Sequence, residues 1–573
     1  MSATRCRRAS VWLAAAVTAV GSFAAGASAQ SARSEAAATI VGLQAFRQSS
    51  TVALDGGLRQ ATLVNLNPAI NAWFVLTVSE LKTGRTSAYH LENADPRRQL
   101  RLHAAGGGSI EIVADSGATR CLDLSLAAQA TLERARRSNL AFAPLCDGRL
   151  YLRNPVRGKR TELEATSEFL RDHVWGGEQI VGFVRGEFFR DSYAERARSA
   201  ASTPAAGGAG SGPPPAALRA EGARAVIPGT LGIELAGAAG GLRLGQWYAV
   251  RGLGDVYLSV IEPAAVAAAG SGPAWRPDAV EADALVYLIA FDLARFDVGF
   301  ALGTDHPRLE WSARARAEMR VADLPGPDGI DSAAPLARTG MLSPSLQNRA
   351  VATFTGGFKR EHGAFRYGAL AQRSRGSHYG FVEQGVVFSR LVPGLATIYT
   401  LDDGTVGMKT WSDADDVLLP KLRDARQNGV PLLEPDAASG APAVGALVGQ
   451  WGPGNWSGSA QGQLRSLRAG ACLLPHAAQR YLVYGYFSTA TPPTMARVFQ
   501  AYGCQYAMHL DMNALEHTYL ALYTRQGTRM AVQHLVQGMS QLDKLSGDEL
   551  LPRFLDLPDN RDFFYVLRRT DSR

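Results

Sequence analysis

The sequence lacks two features that define common classes of protein. No apolar segment is long enough to form a membrane-spanning helix, although the chain has 573 residues. No run of Lys or Arg resembles the basic segments that bind nucleic acid, although the formal net charge is +7. Nearly all basic residues are Arg, and Ala and Gly are abundant, which is typical of proteins from GC-rich bacterial genomes. We therefore expect no membrane span and no nucleic-acid partner.

The first 29 residues have the pattern of a secretory signal peptide. Arg5, Arg7 and Arg8 form its basic region, residues 11–20 its apolar core, and Ala27-Ser28-Ala29 its cleavage site. Because no acidic residue lies in this segment, its removal lowers the net charge from +7 to +4 (7 − 3). The pattern predicts a bacterial protein that is periplasmic or secreted.

Cysteine is scarce, with five residues in all, of which Cys6 lies in the signal peptide. The remaining four pair by position as Cys121–Cys146 and Cys472–Cys504, each pair inside one predicted domain. Export to an oxidising compartment favours disulfides over four buried thiols. No C-x-x-C spacing indicates a metal site, and no motif indicates a cofactor.

A segment rich in Ala, Gly, Ser and Pro divides the chain. Residues 200–219 cannot bury enough apolar surface to fold, so they predict a flexible linker. Before it, residues 36–195 contain short apolar or alternating runs, such as 72–78 and 110–113, and one helical pattern over 162–173. Polar residues are dispersed in this part. We predict a mostly β accessory domain without a site of its own.

The second domain, residues 223–573, combines strand and helix patterns. Residues 284–293 form a long apolar run, and 296–302 are predicted as its hairpin partner. Residues 394–401 and 406–408 flank an Asp-Asp-Gly turn, which predicts a second hairpin. Hairpins mixed with helices indicate the α+β class.

Residues 503–517 are the most informative stretch of this domain. A short amphipathic helix ends near Tyr502, and a buried strand then runs through residues 506–508. Ligands often gather at the ends of such strands. Five polar residues close this strand, which predicts a site there: His509, Asp511, Asn513, Glu516 and His517.

Four segments together resemble the phosphodiester glycosidase family. Leu510-Asp511 matches the Leu-Asp of the family's Asn-Leu-Asp-Gly-Gly-Gly-Ser motif, and residues 355–359 (Thr-Gly-Gly-Phe-Lys) resemble its Asn-Gly-Gly-Phe-Phe. Residues 426–433 and 468–472 resemble a Gln-Ser/Asn-x-Pro-x-Leu segment and an Arg-Thr-Ala-Ile-Gly-Val strand. All four occur in the family's order. The resemblance implies a C-terminal sheet-and-helix domain of the phosphodiester glycosidase type.

The resemblance also implies candidate site residues. Glycosidic hydrolysis generally uses two carboxyl groups, and Asp511 is the first candidate, with Glu361 or Glu516 as its partner. His509 is a candidate acid or base near neutral pH. Candidates for substrate binding are Gly356, Gly357, Arg468, Asn513 and His517. The alternatives for these residues are a plain Gly-Gly turn, a surface Arg and an Asp that caps a turn.

Two functions follow from these expectations. The first is an exported glycosidase-like hydrolase that acts on a sugar-1-phosphodiester in envelope or extracellular glycan. The second is a non-catalytic carbohydrate-binding envelope protein with the same fold, because residues 512–514 replace the family's glycines. In both cases the expected partner is a glycan or sugar phosphate.

Overall fold

The chain folds mainly into antiparallel sheets in the computed structural model. The described residues are 39–174, 191–200, 212–220, 223–238, 240–269, 275–360, 365, 368–374, 379–450, 465–526, 529–547 and 549–570. The predicted signal peptide and Glu361 lie outside them. No helix of these ranges is long and apolar enough to cross a membrane.

The first part of the chain is a sandwich of two sheets, as its alternating pattern predicts. Its strands are β1 Gln48–Leu54, β2 Arg59–Asn65, β3 Trp73–Glu80, β4 Thr86–Asn93, β5 Gln99–His103, β6 Ser109–Ala114, β7 Gly117–Asp123, β8 Phe142–Leu145 and β9 Leu150–Arg153. One sheet has the order β1-β2-β3-β4-β9-β8 and the other β5-β6-β7. Apolar residues from both sheets, such as Leu63, Leu76 and Ile112, form one core.

Within the described residues, two helices accompany this sandwich, α1 Leu126–Arg136 and α2 Glu162–His173. The helix predicted over 162–173 is therefore confirmed. Thr161 caps it, because its Oγ1 accepts a hydrogen bond from the N–H of Glu164 at 3.1 Å.

The described residues of the second part form three larger sheets and four short helices. Its strands are β10 Arg198–Ser199, β11 Ala225–Ile227, β12 Leu242–Arg243, β13 Trp247–Val250, β14 Leu253–Ile261, β15 Val286–Asp292, β16 Phe296–Ala301, β17 Ala350–Thr355, β18 Phe381–Glu383, β19 Val386–Ser389, β20 Ala396–Leu401, β21 Val406–Thr410, β22 Leu422–Gln427, β23 Pro431–Pro435, β24 Pro442–Val444, β25 Ser466–His476, β26 Gln479–Ala490, β27 Tyr506–Met512, β28 Leu520–Gln526, β29 Arg529–His534, β30 Lys544–Ser546, β31 Glu549–Leu551 and β32 Phe563–Arg568. Its helices are α3 Pro263–Ala269, α4 Pro344–Gln347, α5 Gly368–Ser374 and α6 Pro492–Ala501.

An eight-stranded sheet is the centre of this part, with the order β13-β14-β15-β26-β25-β27-β23-β24. Two five-stranded sheets have the orders β16-β32-β17-β28-β29 and β19-β18-β22-β20-β21. All residues of β15, β17 and β27 are buried, which agrees with the mainly apolar composition of these strands. The α+β expectation is thus confirmed in coarse form, with sheet predominating.

One predicted hairpin is confirmed and one is wrong. β20 and β21 pair around the Asp-Asp-Gly turn, as predicted. β15, however, pairs with β14 and β26, whereas β16 pairs with β32 in another sheet. After Asp292 the chain passes from the sheet of β15 to the sheet of β16. The residues of the turn do not determine whether the two strands pair with each other.

Residues 212–219 of the predicted linker make hydrogen bonds with the second part of the chain. Trp247 Nε1 donates to the oxygen of Pro215 at 3.0 Å, and Gln246 Nε2 donates to that of Leu218 at 2.6 Å. Residues 201–211 lie outside the described ranges. The two parts of the chain also touch directly, since the ring centroids of Trp73 and Phe388 are 6.1 Å apart. The domain boundaries otherwise stay predictions.

Both expected disulfides are present. Cys121–Cys146 has a Cα–Cα distance of 5.3 Å, and Cys472–Cys504 one of 5.9 Å. The second bond ties β25 to the turn that precedes β27. Disulfides fit the expected oxidising compartment.

Removing the second disulfide should lower stability. The Cys472→Ser/Cys504→Ser double variant removes a cross-link between residues 32 positions apart in the sequence. We expect the free energy of unfolding to fall by roughly 3 kcal/mol, because the unfolded chain gains conformational freedom. The urea midpoint of unfolding checks this, and peptide mapping without reductant checks the pairing. Four free thiols in the mature wild-type protein, or an unchanged midpoint, would contradict the prediction.

Candidate active site

The end of β27 carries the residues singled out by the sequence. β27 pairs with β25 on one side and β23 on the other, so it is central in the sheet. Arg468 is the register partner of Met512 and Gly470 that of His509, with a register shift between the two pairs. Such a bulge changes the direction of side chains. The irregularity lies next to Asp511.

A buried guanidinium lies beside the carboxyl of Asp511. Arg561 Nη1 donates to Asp511 Oδ2 at 2.7 Å, and Nη2 donates to Glu164 Oε1 at 2.8 Å. The same Nη2 lies 2.8 Å from His517 Nε2, and Lys359 Nζ lies 3.1 Å from Glu164. We call Asp511, Arg561, Glu164, His517 and Lys359 the Arg561 cluster. One arginine therefore joins two carboxyl groups that are far apart in sequence.

Glu164 comes from the part of the chain in which no site was expected. It lies on α2 and is 5% exposed. One helical turn later, Glu168 also pairs with Lys359. Glu164 thus connects the first part of the chain to the candidate site. In the sequence, the acidic residues of α2 have the pattern of a solvent-exposed helix face. The packing of α2 against the second part of the chain brings Glu164 and Glu168 to Lys359, and Glu164 also to Arg561.

Asn428 connects three of the segments that carry the family resemblance. Its Oδ1 accepts the N–H of Phe358 at 3.1 Å, and its Nδ2 donates to the oxygens of His509 and Leu510, each at 2.7 Å. A single amide thus fixes the Gly-Gly-Phe turn against the end of β27. The three segments, which occur in the same order as the family motifs that they resemble, are therefore in contact in the structure.

A second charged cluster lies behind this junction. Arg426 Nε donates to Asp562 Oδ2 at 2.6 Å, and its Nη2 donates to the oxygen of Phe358 at 2.8 Å. Its Nη1 donates to Asn428 Oδ1 at 2.8 Å, and Asp562 Oδ1 lies 2.6 Å from His306 Nδ1. We call these five residues the Arg426 cluster. Although burial alone would raise it, Arg426 and His306 lower the pKa of Asp562 below its usual range, so Asp562 is ionised.

Arg468 reaches the same strand end through His509. Arg468 Nη1 lies 3.1 Å from His509 Nε2, and His509 Nδ1 donates to the oxygen of Leu510 at 3.1 Å. The imidazole stacks on Phe358 with ring centroids 5.0 Å apart. Burial, together with Arg468, lowers the pKa of His509 well below 6.5, so the ring is neutral. His509 is a positioning contact for Arg468 and not the titrating group expected from the sequence.

The two carboxyl groups on Arg561 have opposite pKa shifts. Burial raises the pKa of Asp511 to about 6, and Arg561 opposes this only partly. Burial would also raise the pKa of Glu164, but Arg561 and Lys359 lower it far below its usual range. Near pH 6, Asp511 is therefore partly protonated while Glu164 is ionised. Such a contrast is typical of an acid and a base that act together.

The other predicted residues have mixed outcomes. Gly356 and Gly357 lie against Asp562 and Arg426, since a Cβ on either glycine would come within 2.7 Å of those side chains. Asn513 has a φ of 80° and forms the turn that ends β27.

Glu516 does not take the expected place beside Asp511. Its carboxylate accepts a hydrogen bond from Thr161 Oγ1 at 3.2 Å and lies 3.9 Å from His517 Nε2. Glu164 is the carboxyl that shares Arg561 with Asp511. Within the described residues, no group of three or more His, Cys, Asp or Glu side chains could hold a metal ion.

Sequence reasoning missed several buried residues of the site. Arg561 and Asp562 directly precede the apolar strand β32, just as polar residues directly follow β27. A polar pair next to a buried strand is a usable signal. Glu164 and His306 have no comparable signal, because nothing local marks them.

Comparisons with known proteins leave the family open. No family model and no curated protein matches the sequence. A hypothetical protein from Synechocystis aligns with 87% of this chain and 78% of its own, at 10% identity and a TM-score of 0.21. A protein of Burkholderia pseudomallei K96243, named as a candidate exported protein, aligns over 49% of this chain and 74% of its own. The identity is 11% and the TM-score is 0.17. At these scores neither similarity defines fold or function.

The contact of Gly357 with the Arg426 cluster leads to a test of the site's architecture. Gly357 has a φ of 147°, and a Cβ there would lie 2.6 Å from Arg426 Nη1 and 2.9 Å from Asn428 Oδ1. Gly357→Ala should destabilise the protein by roughly 3 kcal/mol through strain and displacement of Arg426. Gly503→Ala is the control, because its φ is 81° but nothing lies within 4 Å. Equal urea midpoints for the two variants would contradict the close contact.

Proposed function

We propose that the protein is an exported hydrolase of the phosphodiester glycosidase type, which cleaves the bond between a sugar and a phosphodiester. The observation that carries the proposal is the junction at Asn428. It brings the Gly-Gly-Phe turn, Arg426 and the strand of Asp511 together, as one site built from the resembling segments would require.

The charges of the Arg561 cluster fit this reaction. Water adds to the anomeric carbon, the bond from that carbon to the phosphate oxygen breaks, and a phosphomonoester leaves. Asp511, with its pKa of about 6, gives a proton to the leaving oxygen. Glu164, which stays ionised, accepts a proton from the attacking water. Arg561 holds the two carboxyl groups together.

Arginine also suits the substrate. The leaving phosphate carries negative charge, and guanidinium groups bind phosphate oxygens with two parallel hydrogen bonds. Arg468 is the candidate for this contact, because its guanidinium is held at the strand end by His509 and by the oxygen of Ala490, at 2.7 Å from its Nε.

An isotope experiment tests the reaction directly. The mature protein is incubated with N-acetylglucosamine 1-(methyl phosphate), and with the glucose and mannose analogues, in water enriched in ¹⁸O. We expect free reducing sugar and methyl phosphate, with the ¹⁸O on the sugar. Label on the phosphate instead would indicate phosphodiesterase chemistry and overturn the proposal. Saccharide binding that Arg468→Ala weakens, without any turnover, would favour the carbohydrate-binding alternative.

A further inference from the structure

A cavity of about 450 Å³ lies near the end of β27 opposite Asp511. It opens between β21, the edge strand of a five-stranded sheet, and the strands β23, β25 and β27 of the eight-stranded sheet. Small-molecule sites commonly have volumes of roughly 300–1,000 Å³. We call it the Tyr506 cavity, and the lining residues that matter are Tyr399, Lys409, Thr410, Glu434, Gln505 and Tyr506.

Three polar groups of the Tyr506 cavity are held in place by contacts with one another. Thr410 Oγ1 donates to Glu434 Oε2 at 2.9 Å and lies 3.0 Å from the hydroxyl of Tyr506. Lys409 pairs with Asp415. Gln505 adds an exposed amide. Hydrogen-bond donors and acceptors therefore line the same cavity.

An aromatic wall completes the Tyr506 cavity. The half-buried ring of Tyr399 lies against the backbone of Gly407, where a Cβ would come within 2.2 Å of its Cζ. Only glycine at position 407 leaves space for the ring in this position. Aromatic rings present an apolar surface that packs against the C–H face of a sugar.

These features distinguish between kinds of ligand. Lys409, Arg480 and Glu434 place charges of both signs along the cavity, which does not favour a compact anion over a neutral ligand, and the number of polar groups opposes a purely apolar ligand. A sugar ring can hydrogen-bond to donors and acceptors of the cavity through its hydroxyl groups. Its C–H face can also pack on the aromatic ring. We propose that the Tyr506 cavity is a second saccharide site, which binds a neutral mono- or disaccharide.

This proposal does not depend on the proposed reaction. None of the six lining residues belongs to the Arg561 or Arg426 cluster, and β27 separates the cavity from Asp511 along its length. Saccharide binding in the Tyr506 cavity should therefore persist in an Asp511→Asn variant, whether or not the protein hydrolyses anything.

The test measures saccharide binding in the Asp511→Asn background by saturation-transfer NMR. The probes are glucose, mannose, galactose, N-acetylglucosamine and their disaccharides at millimolar concentration, with inorganic phosphate as the anionic comparison. We expect at least one saccharide to bind, and Gln505→Ala and Glu434→Gln to weaken it about tenfold. Gln99→Ala, an exposed Gln→Ala change on β5 in the first sandwich, is the matched control and should leave binding unchanged.

Three results would overturn the proposal. They are the absence of binding by every saccharide, equal binding by the cavity variants and the control, and binding of phosphate instead of sugar. The thermal midpoints of Gln505→Ala and Glu434→Gln show whether each variant is folded. Because Gln505 is exposed, its variant remains informative even if Glu434→Gln is unstable.

Discussion

Asp511→Asn is expected to lower the turnover of a sugar-1-phosphodiester by about 100- to 10,000-fold. The amide keeps the shape of the side chain and an oxygen that can accept from Arg561, but it cannot give up a proton. In the wild type, kcat/KM should fall as the pH rises through about 6, because the protonated form of Asp511 is lost there. The pH profile of kcat/KM distinguishes a role of Asp511 as proton donor from a purely structural role, which would not produce this fall.

The same substitution should not destabilise the protein at alkaline pH. The folded-state pKa of Asp511 is raised from 3.8 to about 6. The stability that this shift contributes is fully present below the unfolded pKa and is lost as the pH rises through 6, an effect of roughly 3 kcal/mol. The asparagine in the Asp511→Asn variant cannot ionise. The variant therefore does not lose this stability as the pH rises. We therefore expect its thermal midpoint at pH 8 to equal or exceed that of the wild type.

Asp292→Asn is the matched control for this prediction. Asp292 is also a buried carboxyl, and it accepts the N–H of Ala294 at 2.8 Å in another part of the sheet. Its variant should keep full turnover. Turnover above a tenth of wild type in Asp511→Asn would exclude Asp511 as the acid. Unfolding of that variant at pH 8 would show that Asp511 is a structural cap.

Arg426→Met is expected to cause the largest loss of stability, roughly 3–5 kcal/mol. The Arg426 side chain is fully buried, and its nitrogens donate to Asp562, Asn428 and the oxygen of Phe358. Met has a similar volume but leaves the ionised carboxylate of Asp562 with His306 as its remaining ionic partner. The free energy of unfolding in urea, measured at neutral pH, gives the loss.

The control for this variant lies on the same strand. Arg423 pairs with Asp424 at 3.2 Å but is partly exposed, so Arg423→Met should cost clearly less. Adding Asp562→Asn to Arg426→Met should recover part of the loss, because it removes the unpaired charge. If the two arginine variants cost the same, or if the second substitution recovers nothing, the Arg426 cluster does not stabilise the site as described.

Patterns within short segments determined a large part of this fold. The run of apolar residues before His509 predicted the buried strand β27, because a strand buried on both faces needs no polar alternation. The Asp-Asp-Gly turn predicted the β20–β21 hairpin, and the helical spacing in residues 162–173 predicted α2. Sequence order was enough to pair the cysteines.

Part of the site was also predictable. Asp511, the two glycines and Arg468 stand in recognisable segments, and polar groups at the end of an apolar strand are a physical signal for a site. His509 was predicted as a candidate acid or base near neutral pH, whereas its ring is buried and neutral in the structure. Its burial beside Arg468 keeps it neutral, and burial is a property of the tertiary structure.

Only the tertiary structure decided which charges meet. Arg561 lies between Asp511 and Glu164, residues separated by most of the chain, and nothing local indicates that pairing. The sequence alone indicated β27, the β20–β21 hairpin and α2, because these depend on neighbours within a few residues. The partners of each buried charge, and hence its pKa, depend on how the sheets and α2 pack, and that information is spread over the whole chain.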